Sequence, residues 1–312
     1  MKVYRSLEEF TPLENAIVTQ GTFDGVHLGH QKILSQLKNL AGMEGGETVL
    51  LTFFPHPRMV LQPDDNGLKL LETIDEKIEH LKQIGIDHLL ILPFTRDFSR
   101  LTAEAFVQQI LIDGIGTKVM VVGYDHRFGK NREGSFLELN TLSREFGFRV
   151  EEISAEDIDA VTISSTKIRQ ALVAGDLATA NSFLGYSYRV EGKVVHGHKK
   201  GAGIGFPTAN IHVDAAYKLI PGDGVYAVEV IVGGKRYQAM VNIGSQPTFS
   251  ERSHAFEAHI FNFSESIYGE NIEVVFHYRL RNELRFESID ALRQQLEKDK
   301  FEALKLLSNH AK

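Results

Sequence analysis

Short apolar runs alternate with amphipathic stretches through the first half of the chain. Ala16–Gln20 (AIVTQ) has strand length, and a glycine-rich turn and a helical pattern from His30 to Leu40 follow it. Glu47–Phe54 (ETVLLTFF) reads as a buried strand, Asp75–Ile84 as a helix and His88–Leu92 as a further strand. Ala103–Ile112 carries helical spacing, and Lys118–Val122 (KVMVV) is a strand ending at Gly123. Buried strands separated by amphipathic helices predict an α/β domain with a parallel sheet and crossover helices. Ligands in such sheets bind outside the carboxyl ends of the strands, where the strand order reverses.

The pattern changes near residue 186. Tyr188–His196 is strand-like, and the runs Gly224–Val232 and Lys235–Ile243 flank Gly233-Gly234, a two-residue hairpin signal. Ala255–Phe263 and Asn271–Leu280 read as strands and Ser288–Leu307 as a closing helix. Consecutive strands without intervening helices predict a small β-barrel with a C-terminal helix. The boundary falls at Leu184–Ser187, giving domains 1–185 and 186–312, and a length of 312 residues suits two cores.

Composition narrows the class. The 43% hydrophobic and 24% charged residues are those of a soluble globular protein. No apolar run reaches membrane-spanning length and the N-terminus lacks a signal-peptide core, so no membrane role is expected. The chain has no cysteine, which excludes disulfides and thiolate metal sites and fits a cytoplasmic location. A net charge of -7 argues against a nucleic-acid partner while leaving room for a local basic nucleotide pocket.

Two segments of the first half carry candidate chemistry. In Gly21-Thr-Phe-Asp-Gly-Val-His-Leu-Gly-His30 a strand ends, a glycine-flanked turn follows and a helix begins. Backbone N–H groups at a helix start attract phosphate. His27 and His30 share a face of the first turn, with Gly29 leaving room beside them. The pair fits hydrogen bonding to a phosphate during displacement, but taken alone it favours a helix cap with two solvated histidines. Zinc binding lacks a third ligand at useful spacing. In Ile163-Ser-Ser-Thr-Lys-Ile-Arg169, Ser164 or Ser165 caps a following helix, with Lys167 and Arg169 adding positive charge.

Together these two segments resemble the nucleotidylyltransferase superfamily. Thr52-Phe-Phe-Pro-His-Pro57 and the segment Val122–Gly134 (VGYDHRFGKNREG) resemble its FAD synthetase branch. The resemblance implies a Rossmann-like domain that adenylylates FMN. It implies that His27, His30 and Arg169 act in catalysis. It also implies that Gly21, Phe23, Asp24, Phe54, His56 and Pro57 bind nucleotide or flavin. The same holds for Gly123, Asp125, Arg127 and Phe128, and for Ser164, Ser165 and Thr166. Aromatic rings at Phe53, Phe54 and Phe128 suit planar ligands. His126 stands where the resemblance predicts Phe.

In the second half, Gly192–Gly197 leads into Gly205-Phe-Pro-Thr-Ala-Asn210. A glycine-rich stretch can wrap phosphates with backbone N–H groups, and the Thr208 hydroxyl and Asn210 carbonyl are hard ligands suited to Mg²⁺. With Val241–Phe249, Glu257–Phe261 and Tyr278–Phe286 these segments resemble riboflavin kinase. The resemblance makes Glu257 the base that deprotonates the attacking hydroxyl. It implies ligand contacts from Gly197, Gly205, Pro207, Asn242 and Arg281 and metal ligation by Thr208 and Asn210. Ala202 and Gln246 stand where it predicts Arg, and Lys199 and Lys200 are candidates for the missing charge.

The implied activity is phosphorylation of riboflavin to FMN and adenylylation of FMN to FAD, each with ATP and Mg²⁺. Riboflavin, FMN, FAD and ATP are the implied partners, and a homo-oligomer is left open. An aminoacyl-tRNA synthetase is the rival on His27-Leu-Gly-His30 alone, and the acidic net charge opposes it. Two more rivals are an enzyme active in one domain only and a flavin-binding protein without turnover.

Overall fold

The computed structural model describes residues 1–62, 67–123, 128–129, 134–154, 163–197, 202–245 and 254–310. Contacts divide the chain into two compact units, Met1–Ser165 and Thr166–Lys312.

The first unit is built on a six-stranded sheet. Its strands are β1 (Lys2–Tyr4), β2 (Ala16–Gln20), β3 (Glu47–Phe54), β4 (His88–Pro93), β5 (Thr117–Gly123) and β6 (Arg149–Ile153). They lie in the order β1-β4-β3-β2-β5-β6, every pair parallel. From β2 the chain moves outward through β3 to β4, then returns to place β5 on the other side of β2. The strand order therefore reverses between β2 and β5, and their carboxyl ends, Gln20 and Gly123, open the crevice where such sheets bind ligands. Both faces of the sheet are covered. One carries Ile17, Leu50, Leu89 and Val121 against Leu34 and Leu37 of helix α1 (Leu28–Glu44). The other carries Val18, Leu51, Leu90 and Met120 against Phe106, Val107 and Leu111. Strands buried on both faces explain the unbroken apolar runs that mark them in the sequence.

Local chemistry sets the helix ends. Helix α1 is N-capped by His27 and stopped by Gly45 in the left-handed region. After the short helix α2 (Pro57–Leu61), helix α3 (Ile74–Ile84) opens with a capping box. Thr73 Oγ1 accepts from Glu76 N at 3.1 Å and Glu76 Oε2 accepts from Thr73 N at 2.7 Å. The helix expected over 103–112 is an α-helical turn, α4 (Ala103–Phe106), running into a wider π-helix, Val107–Ile115. Helix α5 (Phe136–Phe146) completes the unit.

The second unit begins with helices α6 (Ser165–Ala174, whose first residue belongs to the first unit) and α7 (Leu177–Leu184). The strand pattern starts after them, but they pack on the barrel. Asn181 Nδ2 donates to Phe276 O at 3.0 Å, and Tyr188 N donates to Asn181 Oδ1 at 2.8 Å. The closed barrel contains β7 (Arg189–Val195), β8 (Ala209–His212), β9 (Gly224–Val232), β10 (Lys235–Ser245), β11 (His254–Ile260) and β12 (Asn271–Arg281). They are ordered β10-β11-β8-β7-β12-β9 with antiparallel pairing throughout. Helix α8 (Ile289–His310) lays Ala303 and Leu307 on Phe206, Ala227 and Met240. The α/β and β-barrel classes expected from the hydrophobic pattern are the observed ones.

Gly116 closes the π-helix at a φ of 78°, and a Cβ there would stand 2.1 Å from the Leu13 carbonyl oxygen. Gly116→Ala should therefore destabilise the first unit by at least about 2 kcal/mol, read from denaturant unfolding. A change below about 0.5 kcal/mol would show that this close approach is not a constraint.

Candidate active sites

The first site lies at the carboxyl ends of the first unit's strands. A cavity of about 790 Å³ opens there, a volume within the range of small-molecule sites. Gly21, Phe23, His30, His56, Pro57, Gly123 and Phe128, all expected in the site, line it. Phe53, Phe94, Phe98, Phe106 and Phe128 form an aromatic wall, with Phe53–Phe98 centroids 5.3 Å apart and Phe106–Phe128 5.9 Å apart. Phe94 and Phe98 give no signal in the sequence, because they follow β4 in a segment without motif character. Phe54 is partly buried against the core on the α1 side.

The turn from Gly21 to His27 is held in an unfavourable backbone. Phe23 at φ 44° and Val26 at φ 30° occupy the left-handed region, where β-branched and bulky residues are costly. Alternate carbonyls are fixed by side chains from other elements. Lys77 Nζ donates to Thr22 O at 2.6 Å, Ser165 Oγ to Asp24 O at 3.0 Å, and Gln31 Nε2 to Val26 O at 2.9 Å. The Asp24 side chain, 1% exposed, accepts from Leu71 N at 2.9 Å and lies 3.4 Å from Glu72 N. In this structure the Asp24 carboxylate is anchored to the 71–72 backbone.

The two histidines are stacked, ring centroids 3.6 Å apart. His27 Nδ1 accepts from His30 N at 3.4 Å, which leaves Nε2 as its protonated nitrogen in the neutral ring. His30 Nδ1 is buried and has no hydrogen-bond partner among the described residues. Burial first, then His27 and the Lys77 ammonium, hold His30 well below the ordinary histidine pKa. Burial also lowers Lys77, opposed by the charges of Asp24 and Glu72. A neutral imidazole with an open buried nitrogen can meet a phosphate oxygen as charge develops. Asp125 and Arg127, with His126, lie outside the described residues. Ser164 and Thr166 flank the start of α6, and Arg169 lies on that helix in the second unit.

The second site is written across three barrel strands. Glu257 of β11 stands directly opposite Asn242 of β10 and Asn210 of β8, and Asn210 stands opposite Val195 of β7. Thr208 Oγ1 donates to Glu257 Oε2 at 3.1 Å. Gly197 lies so close to Asn210 that a Cβ on it would fall 2.1 Å from the amide nitrogen. His259 Nδ1 lies 2.8 Å from Pro207 O, and because a carbonyl only accepts, that ring nitrogen carries the proton. Burial lowers the His259 pKa, the bond to Pro207 opposes this, and Lys300 adds to the lowering. A second cavity, about 190 Å³, is lined by Pro207 and Thr208, with Tyr268 at its wall under the stacked His196 ring. Gly205 turns the chain into this segment at φ 86°.

Arg281 is paired with the C-terminal helix. Its Nε and Nη2 reach Asp299 of α8 at 3.0 and 2.7 Å, and Asp299 is 2% exposed. This bidentate pair fastens the C-terminal helix to β12. Gln246, Lys199 and Lys200 lie outside the described residues, as does the Ala202 side chain.

Residues 10–167 match the family model of FAD synthetase and residues 184–307 that of riboflavin kinase. The chain belongs to the bifunctional riboflavin kinase/FMN adenylyltransferase family. The member from Listeria monocytogenes is 40% identical over 293 residues, 94% of this chain and 92% of the relative. The Escherichia coli member is 37% identical over 306 residues, 97% of both chains. Among solved structures, a Streptococcus pneumoniae protein named a macrolide-efflux protein superposes with a TM-score of 0.88 at 32% identity, covering 96% of this chain and 97% of that one. That name stays with that protein. Among the described residues here, no helix is long and apolar enough to cross a membrane.

The depressed histidines make stability depend on pH. His30 and His259 are neutral in the fold and bind a proton more readily once unfolded. Their contribution is intact above the ordinary histidine pKa and is lost as the pH falls below it. The melting temperature of the ligand-free protein should decline between about pH 7 and pH 5, and His30→Gln should flatten that slope. An unchanged slope in the variant would contradict a buried neutral His30.

Proposed function

We propose that this chain makes flavin cofactors in two steps, phosphorylating riboflavin to FMN and adenylylating FMN to FAD. The reading assigns the adenylyl transfer to residues 1–185 and the kinase to residues 186–312. The observation that carries it is the presence in one chain of two differently built sites, each inside its own family match. One is an aromatic-walled cavity lined by His30, on which His27 stacks. The other is a carboxylate flanked by two asparagines and bonded to a threonine hydroxyl.

In the kinase step, the riboflavin 5′-hydroxyl attacks the γ-phosphorus of ATP and ADP leaves. Glu257 takes the hydroxyl proton, and its bond to Thr208 aims the carboxylate. The oxygens of Thr208 and Asn210, in the segment beside Gly197, fit Mg²⁺, which characteristically takes one or two protein oxygens plus substrate phosphates. When bound, Mg²⁺ supplies charge neutralisation on the polyphosphate. Gly197, Gly205, Pro207 and Asn242 shape the nucleotide edge, and the Tyr268-walled cavity suits the adenine ring.

In the adenylyl step, an FMN phosphate oxygen attacks the α-phosphorus of a second ATP and pyrophosphate leaves. The nucleophile is already anionic, so no base is required. His27, His30 and Arg169 offset the charge of the transition state, and the helix start with Ser164, Ser165 and Thr166 receives phosphate. The aromatic wall, with His56 and Pro57, takes the flavin ring. Asp24 and Arg281, each also held by a structural partner, contribute to ligand binding. The proposed setting is the cytoplasm, where ATP is abundant, and no nucleic acid enters the reaction.

His30→Ala should lower FAD formation from FMN by about 10²- to 10³-fold and leave FMN formation intact. Glu257→Gln should lower FMN formation by about 10²- to 10⁴-fold and leave FAD formation from supplied FMN intact. Product chromatography reads both. A folded variant that loses both activities would refute the assignment of one site to each step.

A further inference from the structure

We propose that Lys77 is a positioning residue for adenylyl transfer, its buried ammonium fixing the floor of the nucleotide cavity through the Thr22 carbonyl. This rests on reading the first unit as the adenylyltransferase.

Lys77 sits on helix α3 and is 6% exposed, an unusual place for an ammonium. The capping box at Thr73 sets the first turn of that helix, and Lys77 then falls four residues before the fully buried Leu81, on the inward face. Its Nζ meets the Thr22 oxygen at 2.6 Å, and Thr22 lines the cavity. Thr52 Oγ1 also donates to that oxygen, at 3.5 Å, so Lys77 provides the closer hold.

A trans peptide points its C=O and N–H in opposite directions. Fixing the Thr22 carbonyl toward Lys77 therefore turns the Phe23 N–H away from it. That N–H has no hydrogen-bond partner among the described residues. Phe23 is also the first of the two non-glycine residues of this turn held at positive φ. Lys77 thus acts on the peptide immediately before the strained position, where a small rotation moves the whole turn to His27.

The surroundings give the ammonium a reason to remain charged. Asp24 and Glu72 face it, and Glu72 is itself paired with His80 at 2.7 Å. The groups facing His30 are His27 from its own helix start and Lys77 from α3, with His56 and Arg58 of the α2 segment on the same cavity wall. Lys77 adds to burial and His27 in holding His30 down, so removing it moves His30 toward the ordinary histidine pKa.

The test compares Lys77→Met and Lys77→Arg in the full chain, with FMN formation from riboflavin as the internal control. Lys77→Met should lower kcat for FAD formation on the order of 10²-fold, the cost of a small misplacement, with KM for ATP changed only a few-fold. Lys77→Arg should recover most of that loss. The His30 ring, followed by NMR, should titrate at higher pH in Lys77→Met than in the parent. Unaltered FAD synthesis in Lys77→Met would overturn the proposal. So would equal loss in the Met and Arg variants, which would make volume rather than charge the requirement. A Lys77→Met protein whose first unit no longer folds would make the role structural and overturn it as well. An unsubstituted chain that makes no FAD from FMN would refute the adenylyltransferase reading itself, separately from the role of Lys77.

Discussion

The buried anchoring of the Gly21–His27 turn is the constraint on which the first site depends. Two non-glycine residues in the left-handed region are not a conformation the turn would keep alone. The Asp24 carboxylate, sealed against the 71–72 backbone, fixes the turn's centre. Lys77, Ser165 and Gln31 hold the carbonyls at 22, 24 and 26. With the turn so fixed, helix α1 starts at a defined point, His27 stacks on His30, and His30 lines the cavity. The parallel sheet contributes the location, because the reversal of strand order between β2 and β5 leaves the crevice open at that point.

The second unit solves a comparable problem by register. Antiparallel pairing places Asn242, Glu257 and Asn210 in one row, so three candidate site residues are aligned by backbone hydrogen bonds rather than by a loop. Closure of the barrel removes free strand edges and makes that row rigid. The bonds from Thr208 to Glu257 and from His259 to Pro207 then fix the approach of the 205–210 segment. The Arg281–Asp299 pair holds the C-terminal helix against the strand it follows.

Much of this is legible in the sequence because period and turn chemistry report directly on local structure. The apolar runs mark the inner strands of the parallel sheet, and Gly233-Gly234 marks the β9–β10 hairpin. The edge strand β6 (RVEEI) escapes notice because four of its five residues are at least partly exposed and carry no apolar run. β1 is three residues long, and β8 begins inside the Gly205–Asn210 motif and runs only four residues. Resemblance alone assigns Asp24 and Arg281 to ligands. Their partners lie 47 and 18 residues away, a relation that no local pattern encodes. Lys77 reads as one more charge in DEKIEH, and only the capping box followed by Leu81 at helical spacing hints that it faces inward. The phenylalanines after β4 become part of the site through the topology of the sheet.

The central claim is that two successive reactions occur at two sites of one chain. The most direct measurement follows the flavins with time after riboflavin, ATP and Mg²⁺ are added to the purified full chain. The account predicts that FMN rises first with release of ADP, and that FAD follows at the expense of FMN with one pyrophosphate per FAD. No flavin product from either riboflavin or FMN would contradict it.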